Sequence, residues 1–355
     1  MDNYKKVQEL LKQHSVEAIL ISDDKNMRYI SGFSGGTGYL YISADRRAVI
    51  TDSRYTIQAE LEAEGYEVIT IAGSGYEESL NELLSLDGVK RLGFEAEDML
   101  YSTYHRLKEK LIAAELIPFG HEITRMRRIK TPRELEYIKK AEEIGDKVFS
   151  EILGYIKPGL TELEVAARIE YLLKLKGASG LSFPSIVVSG INSSMPHGVP
   201  TQKKIETGDF LTMDFGCVFE GYCSDMTRTI VIGKASEKQK EIYHTVLEAQ
   251  MAALDFLKAG YKGREVDRIA RDIIYKAGYE GCFGHGLGHS VGLEVHENPR
   301  LSAYEEDIIL AGMTETVEPG IYVKGLGGVR IEDLVAVTKD GCENFTHSDK
   351  SLIEL

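Results

Sequence analysis

Two segments of this sequence, 101 positions apart, resemble each other closely enough to constrain how the second half of the chain folds. The first, IKPGLTELEVAARIEYLLKLKGA, begins at residue 156, and the second, LKAGYKGREVDRIARDIIYKAGY, begins at residue 257. They share five identities: Lys157/Lys258, Gly159/Gly260, Glu164/Glu265, Val165/Val266 and Gly177/Gly278. Residue types this common could match by chance. However, each copy follows a long helical pattern, forms a turn and an amphipathic helix, and leads into strands. The shared order favours two related halves with a pocket between them.

A capping box indicates where the repeated part of the chain begins. Thr131, Pro132 and Glu134 combine an N-cap, a proline at the first helical position and a reciprocal glutamate, which predicts a helix to about residue 154. Upstream, helical patterns alternate with strand patterns. The helical patterns are YKKVQELLKQH and residues 54–64, 76–87 and 101–115, and the strand patterns are EAILIS, YLYIS, AVITD, EVITI and RLGFE. We therefore predict an α/β domain over residues 1–124 and a second domain over 125–355.

Composition argues against several classes of partner. The net charge of −14 argues against nucleic acid, which requires clustered Lys and Arg. The basic run RMRRIKTPR at 125–133 is interpreted as a linker with a solvated face. No window reaches 18 apolar residues and the N-terminus lacks a signal-peptide core, so no membrane partner is predicted. The cysteines are predicted to be reduced thiols of a cytoplasmic protein, with two disulfides in a secreted enzyme as the alternative: Cys217, Cys223, Cys282 and Cys342.

The segment DFLTMDFGCVFEGYCSDMTRTIVI, residues 209–232, predicts a hairpin that carries two aspartates. A two-residue turn at Glu220 and Gly221 places Asp214 opposite Thr227 and diagonal to Asp225. A turn one residue earlier places the two aspartates directly opposite each other. In both registers the carboxylates share one face, within about 4.5–8 Å of each other. The other face is predicted to join the core: Leu211, Met213, Phe215 and Cys217. The alternative is an ordinary hairpin with a polar outer face.

The segment FGHGLGHSVGLEVHENP, residues 283–299, gathers histidines among glycines. It contains His285, His289 and His296. Four glycines oppose a helix, and Gly286 after His285 rules out the H-E-x-x-H zinc motif. We therefore predict a glycine-lined turn that enters a strand over residues 289–295, where polar and apolar residues alternate. The alternative is a glycine-rich loop with incidental histidines.

Two further carboxylates, Glu318 in MTETVEPGIYV and Glu332 in GGVRIEDLVAV, stand in apolar strand patterns. Each could be an exposed strand residue. Together with Asp214 and Asp225 they would bring four negative charges beside His289 as a neutral donor. A buried cluster of this kind needs compensation, and two divalent cations balance it. An oxygen-rich set with one imidazole suits Mn²⁺ or another first-row ion better than a structural zinc.

Four blocks resemble, in order and across roughly residues 130–340, the motifs of the pita-bread metallopeptidases: MDFGCVFEGYCSDMTRT, HGLGHSVGLEVHE, TVEPGIY and GVRIEDL. That family comprises methionine aminopeptidase, aminopeptidase P and prolidase. The resemblance implies an α+β pita-bread catalytic domain with pseudo-twofold halves, preceded by a smaller creatinase-like α/β domain. It implies two divalent ions, Mn²⁺ foremost and Co²⁺, Zn²⁺ or Fe²⁺ as alternatives. The ligands it implies are Asp214, Asp225, His289, Glu318 and Glu332, with Asp225 and Glu332 bridging both ions.

The resemblance also implies catalytic groups: Glu318, His296, His197, His285 and Arg330. Glu318 would move a proton from water to the proline nitrogen. His296 or His197 would stabilise the tetrahedral oxyanion. His285 with Arg330 would shape the pocket for the proline ring.

The N-terminal domain points to the proline-specific branch, because methionine aminopeptidases generally lack it. The expected activity is aminopeptidase P-like, on short peptides with proline second, in a homodimer. The alternative is a prolidase restricted to dipeptides, and Leu287 and Ser290, where many prolidases differ, leave the choice open. More remote alternatives are a methionine aminopeptidase-like enzyme, an amidinohydrolase related to creatinase and a non-catalytic binding protein.

Overall fold

The computed structural model describes residues 3–71, 75–111 and 115–355. The chain forms two units, which end and begin at Arg127 and Arg128. Within the described ranges, no helix combines the length and apolar character that crossing a membrane requires.

The first unit is built on a six-stranded mixed sheet. Its strands are β1 (Ala18–Ile21), β2 (Tyr39–Ser43), β3 (Arg47–Thr51), β4 (Glu67–Thr70), β5 (Arg91–Glu95) and β6 (Glu115–Phe119). Its helices are α1 (Asn3–His14), α2 (Asp24–Ser31), α3 (Thr56–Glu62), α4 (Tyr76–Leu86), α5 (Tyr101–Lys110) and α6 (Glu122–Arg125). The sheet order is β4-β3-β2-β1-β5-β6, in which β2 and β3 form the predicted antiparallel hairpin. The α/β alternation is confirmed.

Two details of the first unit differ from the sequence prediction. The predicted helix over 101–115 ends at Lys110, and Glu115 already begins β6; residues 112–114 of that prediction lie outside the described ranges. The sequence patterns also do not reveal α2. Its local N-cap, in which Asp23 accepts the Asn26 N–H at 2.7 Å, is itself held by a tertiary contact: the buried Glu95 accepts the Asp23 N–H at 2.9 Å and the Asn26 side-chain amide at 2.6 Å.

The second unit combines four long helices with short antiparallel strands. Its helices are α7 (Pro132–Ile152), α8 (Glu162–Leu175), a 3₁₀ helix (Gly190–Ser194), α9 (Glu237–Phe256) and α10 (Gly263–Lys276). Its strands are β7 (Gly180–Leu181), β8 (Ile186–Ser189), β9 (Phe210–Phe215), β10 (Cys217–Phe219), β11 (Tyr222–Cys223), β12 (Met226–Val231), β13 (Gly288–Ser290), β14 (Glu297–Leu301), β15 (Thr314–Val317), β16 (Gly320–Val323), β17 (Gly327–Arg330), β18 (Asp333–Val337) and β19 (Cys342–Asn344). The sheets are ordered β11-β10-β7, β12-β9-β8, β13-β14, β15-β18-β19 and β16-β17. The capping box of Thr131 and Glu134 opens α7 as predicted.

The internal repeat is confirmed as a structural repeat, since both copies form a turn followed by a helix. Glu164 and Glu265 each accept the N-cap N–H of their helix, at 2.7 and 2.8 Å. Val165 and Val266 are fully buried, one in each of two hydrophobic cores. The shared glycines have left-handed backbones, with φ values of 93° and 103° at the turns and 103° and 89° after the helices: Gly159, Gly260, Gly177 and Gly278. Four of the five identities therefore have a structural reason.

The interpretation of residues 125–133 as a solvated linker is wrong for two of the basic residues. In the first unit, the Arg127 side chain is 2% exposed and donates to Asn26 Oδ1 at 2.9 Å. In the second unit, Lys130 is buried and its Nζ contacts Ser290 Oγ at 3.0 Å and Glu297 Oε2 at 3.2 Å. Periodicity does not reveal these burials, because the partners lie far along the chain.

Candidate active site

The register of the aspartate hairpin is set by its turn. Glu220 and Gly221 occupy the turn with φ values of 49° and 81°, as a type I′ hairpin requires. The ladder between β9 and β12 then pairs Asp214 with Thr227, which is the first of the two predicted registers. Asp225 lies just before β12. The opposite face of β9 and β10 packs into the core as predicted, through Leu211, Met213, Phe215 and Cys217.

All nine residues singled out from the sequence line one cavity of about 470 Å³ in the second unit. They are His197, Asp214, Asp225, His285, His289, His296, Glu318, Arg330 and Glu332. Asp214 comes from β9 and His289 from β13, while Glu318 follows β15 and Glu332 lies between β17 and β18. The wall also includes apolar side chains: Phe183, Pro184, Ile186, Pro196, Val199 and Pro200. The cavity thus combines a charged cluster with an apolar wall.

A compact cluster of carboxylates surrounds the His289 ring. One oxygen or nitrogen from each of Asp225, His289 and Glu332 lies within 4.8 Å of the others. His289 Nε2 is 3.5 Å from Asp225 Oδ2 and 3.4 Å from Glu318 Oε1. Its Nδ1 lies 3.2 Å from the carbonyl oxygen of Ser290, which can only accept. The proton is therefore on Nδ1, and the Nε2 lone pair faces the carboxylates, as in metal-binding histidines.

The electrostatics of the cluster favour bound cations. Burial and then the charge of Glu332 raise the pKa of Asp225 well above its usual range. Burial followed by the charge of Glu318 does the same for the pKa of Glu332. Burial raises the pKa of Glu318 to about 8 and lowers the pKa of His289 to about 3, so the imidazole is neutral. Groups that oppose one another's ionisation in this way need nearby positive charge.

Arg330 supplies part of that charge and begins a chain of hydrogen bonds. Its guanidinium donates to Asp214 Oδ2 at 2.6 Å, Tyr322 Oη at 2.8 Å and Thr227 Oγ1 at 3.0 Å. Tyr322 Oη is 2.9 Å from His285 Nε2, and His285 Nδ1 is 2.8 Å from the Gly286 carbonyl. Burial lowers the pKa of His285 to about 4. The ring is therefore neutral, and its Nε2 accepts a hydrogen bond from the Tyr322 hydroxyl.

The donor set fits divalent ions. Asp214 Oδ1 is buried and finds no hydrogen-bond partner among the described residues, while Oδ2 binds Arg330. Four carboxylates against one guanidinium leave a net charge of −3 when ionised, which one divalent ion does not balance. The charge count from sequence omitted Arg330: with it, one divalent ion leaves a charge of −1 and two leave +1, so the charge count alone no longer selects two ions. Oxygen-rich sets with a single imidazole suit first-row divalent ions.

The strand predicted over residues 289–295 is wrong beyond Ser290. The strand β13 ends there, with a register shift in its pairing to β14. The buried Glu297 carboxylate accepts the N–H groups of Leu293 and Glu294 at 3.1 and 3.4 Å. These N–H groups bond to the Glu297 side chain and not to a neighbouring strand. The segment that carries His296 therefore forms a turn and not a strand. The His296 ring packs edge-on against His289, with centroids 4.4 Å apart.

Three residues around the cavity are not predicted from the sequence. The Thr227 hydroxyl donates to Glu332 Oε2 at 2.7 Å. Tyr322 extends from Arg330 to His285, and it lies across Gly320, where an added Cβ would be 2.4 Å from its hydroxyl. Arg300 on β14 lines the cavity as a cation. Thr227 and Tyr322 lie inside the quoted motif blocks, but their partners Glu332 and His285 lie 105 and 37 residues away along the chain.

Comparison with known proteins identifies the family of both units. Residues 136–339 match the model of metallopeptidase family M24, and residues 4–129 match the creatinase/prolidase N-terminal domain. A Bacillus anthracis structure described as an Xaa-Pro dipeptidase superposes with a TM-score of 0.97 at 43% identity, covering 100% of this chain and 99% of the other. A Thermotoga maritima X-Pro aminopeptidase structure gives 0.93 at 37%, covering 100% of both chains.

Among curated proteins, the Xaa-Pro dipeptidase of Pyrococcus horikoshii is 41% identical over 353 residues, 99% of each chain. The prolidase structure from the same organism superposes with a TM-score of 0.94, covering 99% of this chain and 100% of the other. These matches confirm the pita-bread fold with its creatinase-like N-terminal domain. The chain belongs to metallopeptidase family M24, as its four motif blocks predict.

Proposed function

We propose that this metallopeptidase hydrolyses the Xaa-Pro bond of dipeptides. One observation carries the proposal: a single cavity brings the carboxylate and histidine cluster together with an apolar wall and a cationic side chain. The relatives described as Xaa-Pro dipeptidases support it. They favour the prolidase alternative over the aminopeptidase P-like activity that the sequence predicts.

Two divalent ions would be held by the predicted ligands: Asp214, Asp225, His289, Glu318 and Glu332. Such ions act as Lewis acids and lower the pKa of water toward neutrality. The protein contributes the orientation of these groups. Ser290 fixes the His289 tautomer, and Thr227 orients the Glu332 carboxylate.

The remaining residues bind and move protons around the scissile amide. Glu318, directly after β15, receives a proton from water and delivers it to the proline nitrogen, which has no N–H of its own. His296 and His197 lie on the cavity wall as donors for the oxyanion. The chain from Arg330 through Tyr322 to His285 keeps the pocket for the proline ring rigid.

Arg300 supports dipeptides over longer peptides as substrates. Arg300 lines the cavity that holds the catalytic cluster. A dipeptide places its free carboxylate directly after the proline ring, whereas a longer peptide has a neutral amide there. Guanidinium groups bind carboxylates through paired, charge-assisted hydrogen bonds. We infer that Arg300 selects substrates that end at proline.

Three peptides incubated with the Mn²⁺-loaded protein test the proposed function: Ala-Pro, Ala-Pro-Ala and Met-Ala-Ala. We expect alanine release from Ala-Pro, with Ala-Pro-Ala cleaved much more slowly. Faster release of alanine from the tripeptide would instead support the aminopeptidase P-like activity that the sequence predicts. Cleavage of Met-Ala-Ala alone would point to a methionine aminopeptidase. No cleavage by protein with two metals bound would favour a non-catalytic binding protein.

The substitution Arg300→Met is expected to lower kcat/KM for Ala-Pro about 10- to 100-fold, since a hydrogen bond to a charged group is worth about 1.5–3 kcal/mol. Hydrolysis of Ala-Pro amide, which lacks the carboxylate, should change little. The control is Arg268→Met, because Arg268 is a 79%-exposed arginine on α10. Equal losses on the acid and the amide would contradict the proposed role of Arg300.

Four further statements stay predictions: manganese as the metal, a homodimer, a cytoplasmic location, and domain bounds of 1–124 and 125–355. Elemental analysis of the purified protein tests the first, and sedimentation tests the second.

A further inference from the structure

The histidine His197 lies on a segment whose two ends are joined by one buried side chain. We call residues 190–200 the His197 loop; it begins with the 3₁₀ helix after β8. Its second half, residues 196–200, lines the cavity. The position of His197 therefore depends on how this loop is anchored.

Glu162, the first residue of α8, is fully buried and contacts the residues that flank the loop. Its Oε1 accepts the N–H of Ser189 at 2.6 Å and the Ser189 hydroxyl at 3.0 Å. Its Oε2 accepts the N–H of Thr201 at 3.0 Å and the Thr201 hydroxyl at 2.7 Å. The Asn192 amide lies 3.1 and 3.3 Å from the two oxygens. One carboxylate thus ties the residue before the loop to the residue after it.

These contacts resist loosening, because the acceptor is charged and buried. Hydrogen bonds to a carboxylate are stronger than neutral ones, and a low local dielectric strengthens them further. The loop is also held at its middle, where the Ser193 hydroxyl accepts the Gly328 N–H at 2.8 Å and Arg330 donates to the Pro196 carbonyl at 3.2 Å. Arg330 also binds Asp214, so movement of the loop would shift Arg330 and change its contact with the carboxylate cluster.

The second half of the repeat holds its histidine segment in a comparable way. Asp267 on α10 is 1% exposed, and its Oδ1 accepts the Leu287 N–H at 3.1 Å. It also binds Arg271 at 2.8 Å, and Arg271 donates to the Phe283 and His285 carbonyls at 2.9 and 2.8 Å. In both halves, a buried carboxylate on the helix of the repeat fixes a segment that carries a cavity histidine.

We propose that Glu162 is a positioning residue, which acts on catalysis by fixing the His197 loop. The proposal rests on the proposed function, because it needs His197 to contact the reacting carbonyl. Glu162 itself does not line the cavity among the described residues, so its effect must pass through the loop.

The test compares Glu162→Gln with Glu164→Gln. Both glutamates lie in the first turn of α8, so each substitution removes the same charge from the same helix terminus. Glu164 is exposed and accepts from Thr161, and a glutamine can still serve in that capping box. Hydrogen exchange at residues 187–202 is measured with metal-loaded protein, together with kcat and KM for Ala-Pro. We expect faster exchange and a fall in kcat of about 10-fold or more for Glu162→Gln. KM should change little, and Glu164→Gln should match the wild type in every measurement.

A double variant with His197→Ala separates positioning from a general loss of stability. If Glu162 acts through His197, then Glu162→Gln should lower kcat far less in the His197→Ala protein than in the wild type. Thr201→Val removes one hydroxyl from the same carboxylate and replaces Glu162→Gln if that variant fails to fold. Unchanged exchange, unchanged kcat, or a full additional loss in the His197→Ala background would each overturn the proposal. If wild-type protein cleaves no Xaa-Pro peptide, the proposed function fails, and the exchange data still decide whether Glu162 anchors the loop.

Discussion

Replacing Glu318 with alanine is expected to abolish turnover and to reduce the number of bound metals. Glu318 Oε1 lies 3.4 Å from His289 Nε2, and the Thr316 hydroxyl lies 3.3 Å from the same oxygen. The substitution removes a metal ligand and the proposed proton carrier together. Loss of acid–base catalysis alone lowers the rate by about 10²–10⁴-fold. The measurements are kcat on Ala-Pro and metal content by elemental analysis after dialysis.

His296→Ala provides the contrast for Glu318→Ala. The His296 ring packs edge-on against His289 and lies outside the proposed ligand set. We therefore expect kcat to fall while both metals are retained. Full activity in either variant would contradict the role given to that residue. Loss of metal in His296→Ala would instead make it part of the metal site.

The hairpin shows what a sequence can predict about a site. The side chains of a strand alternate between its two faces, so the relative positions of Asp214 and Asp225 depend on a single local feature, the location of the turn. Glu220 and Gly221 fix the location of the turn, because a two-residue turn with positive φ at both positions favours glycine. The capping boxes and the glycines of the repeat are local in the same sense. These features fix the halves and bring the carboxylates to one face.

Contacts between distant segments could not be predicted in this way. The Tyr322 hydroxyl reaches His285 Nε2 across 37 residues of sequence, and no local pattern sets that contact. The strand expected after His289 does not form, because the Glu297 carboxylate accepts the Leu293 N–H that strand pairing would otherwise use. Lys130 looks solvated in a basic run, yet it is buried against that same glutamate. In each case a tertiary partner overrides the local signal.

Arg330→Met is expected to destabilise the metal-free protein by about 3–5 kcal/mol, because it leaves the buried Asp214 carboxylate without its counter-charge. Arg330 Nη2 donates to Asp214 Oδ2 at 2.6 Å, and the guanidinium also donates to Tyr322 and to the Pro196 carbonyl. Turnover should therefore fall as well, since the proline pocket and the His197 loop both lose a contact.

The response to metal distinguishes this charge effect from ordinary loss of packing. In Arg330→Met the cluster is more negative, so added Mn²⁺ binds more favourably and should raise Tm by more than in the wild type. Arg228→Met is the matched control: Arg228 is 1% exposed on the neighbouring β12 and pairs with Asp333 at 2.8 Å. It should also lower Tm, but with no more than the wild-type response to Mn²⁺, because the charge that Arg228 balances is that of Asp333, which does not line the cavity among the described residues, and Arg228 reaches Glu332 only at its backbone carbonyl. Equal metal responses in the two variants would mean that Arg330 does not balance the charge of the carboxylate cluster.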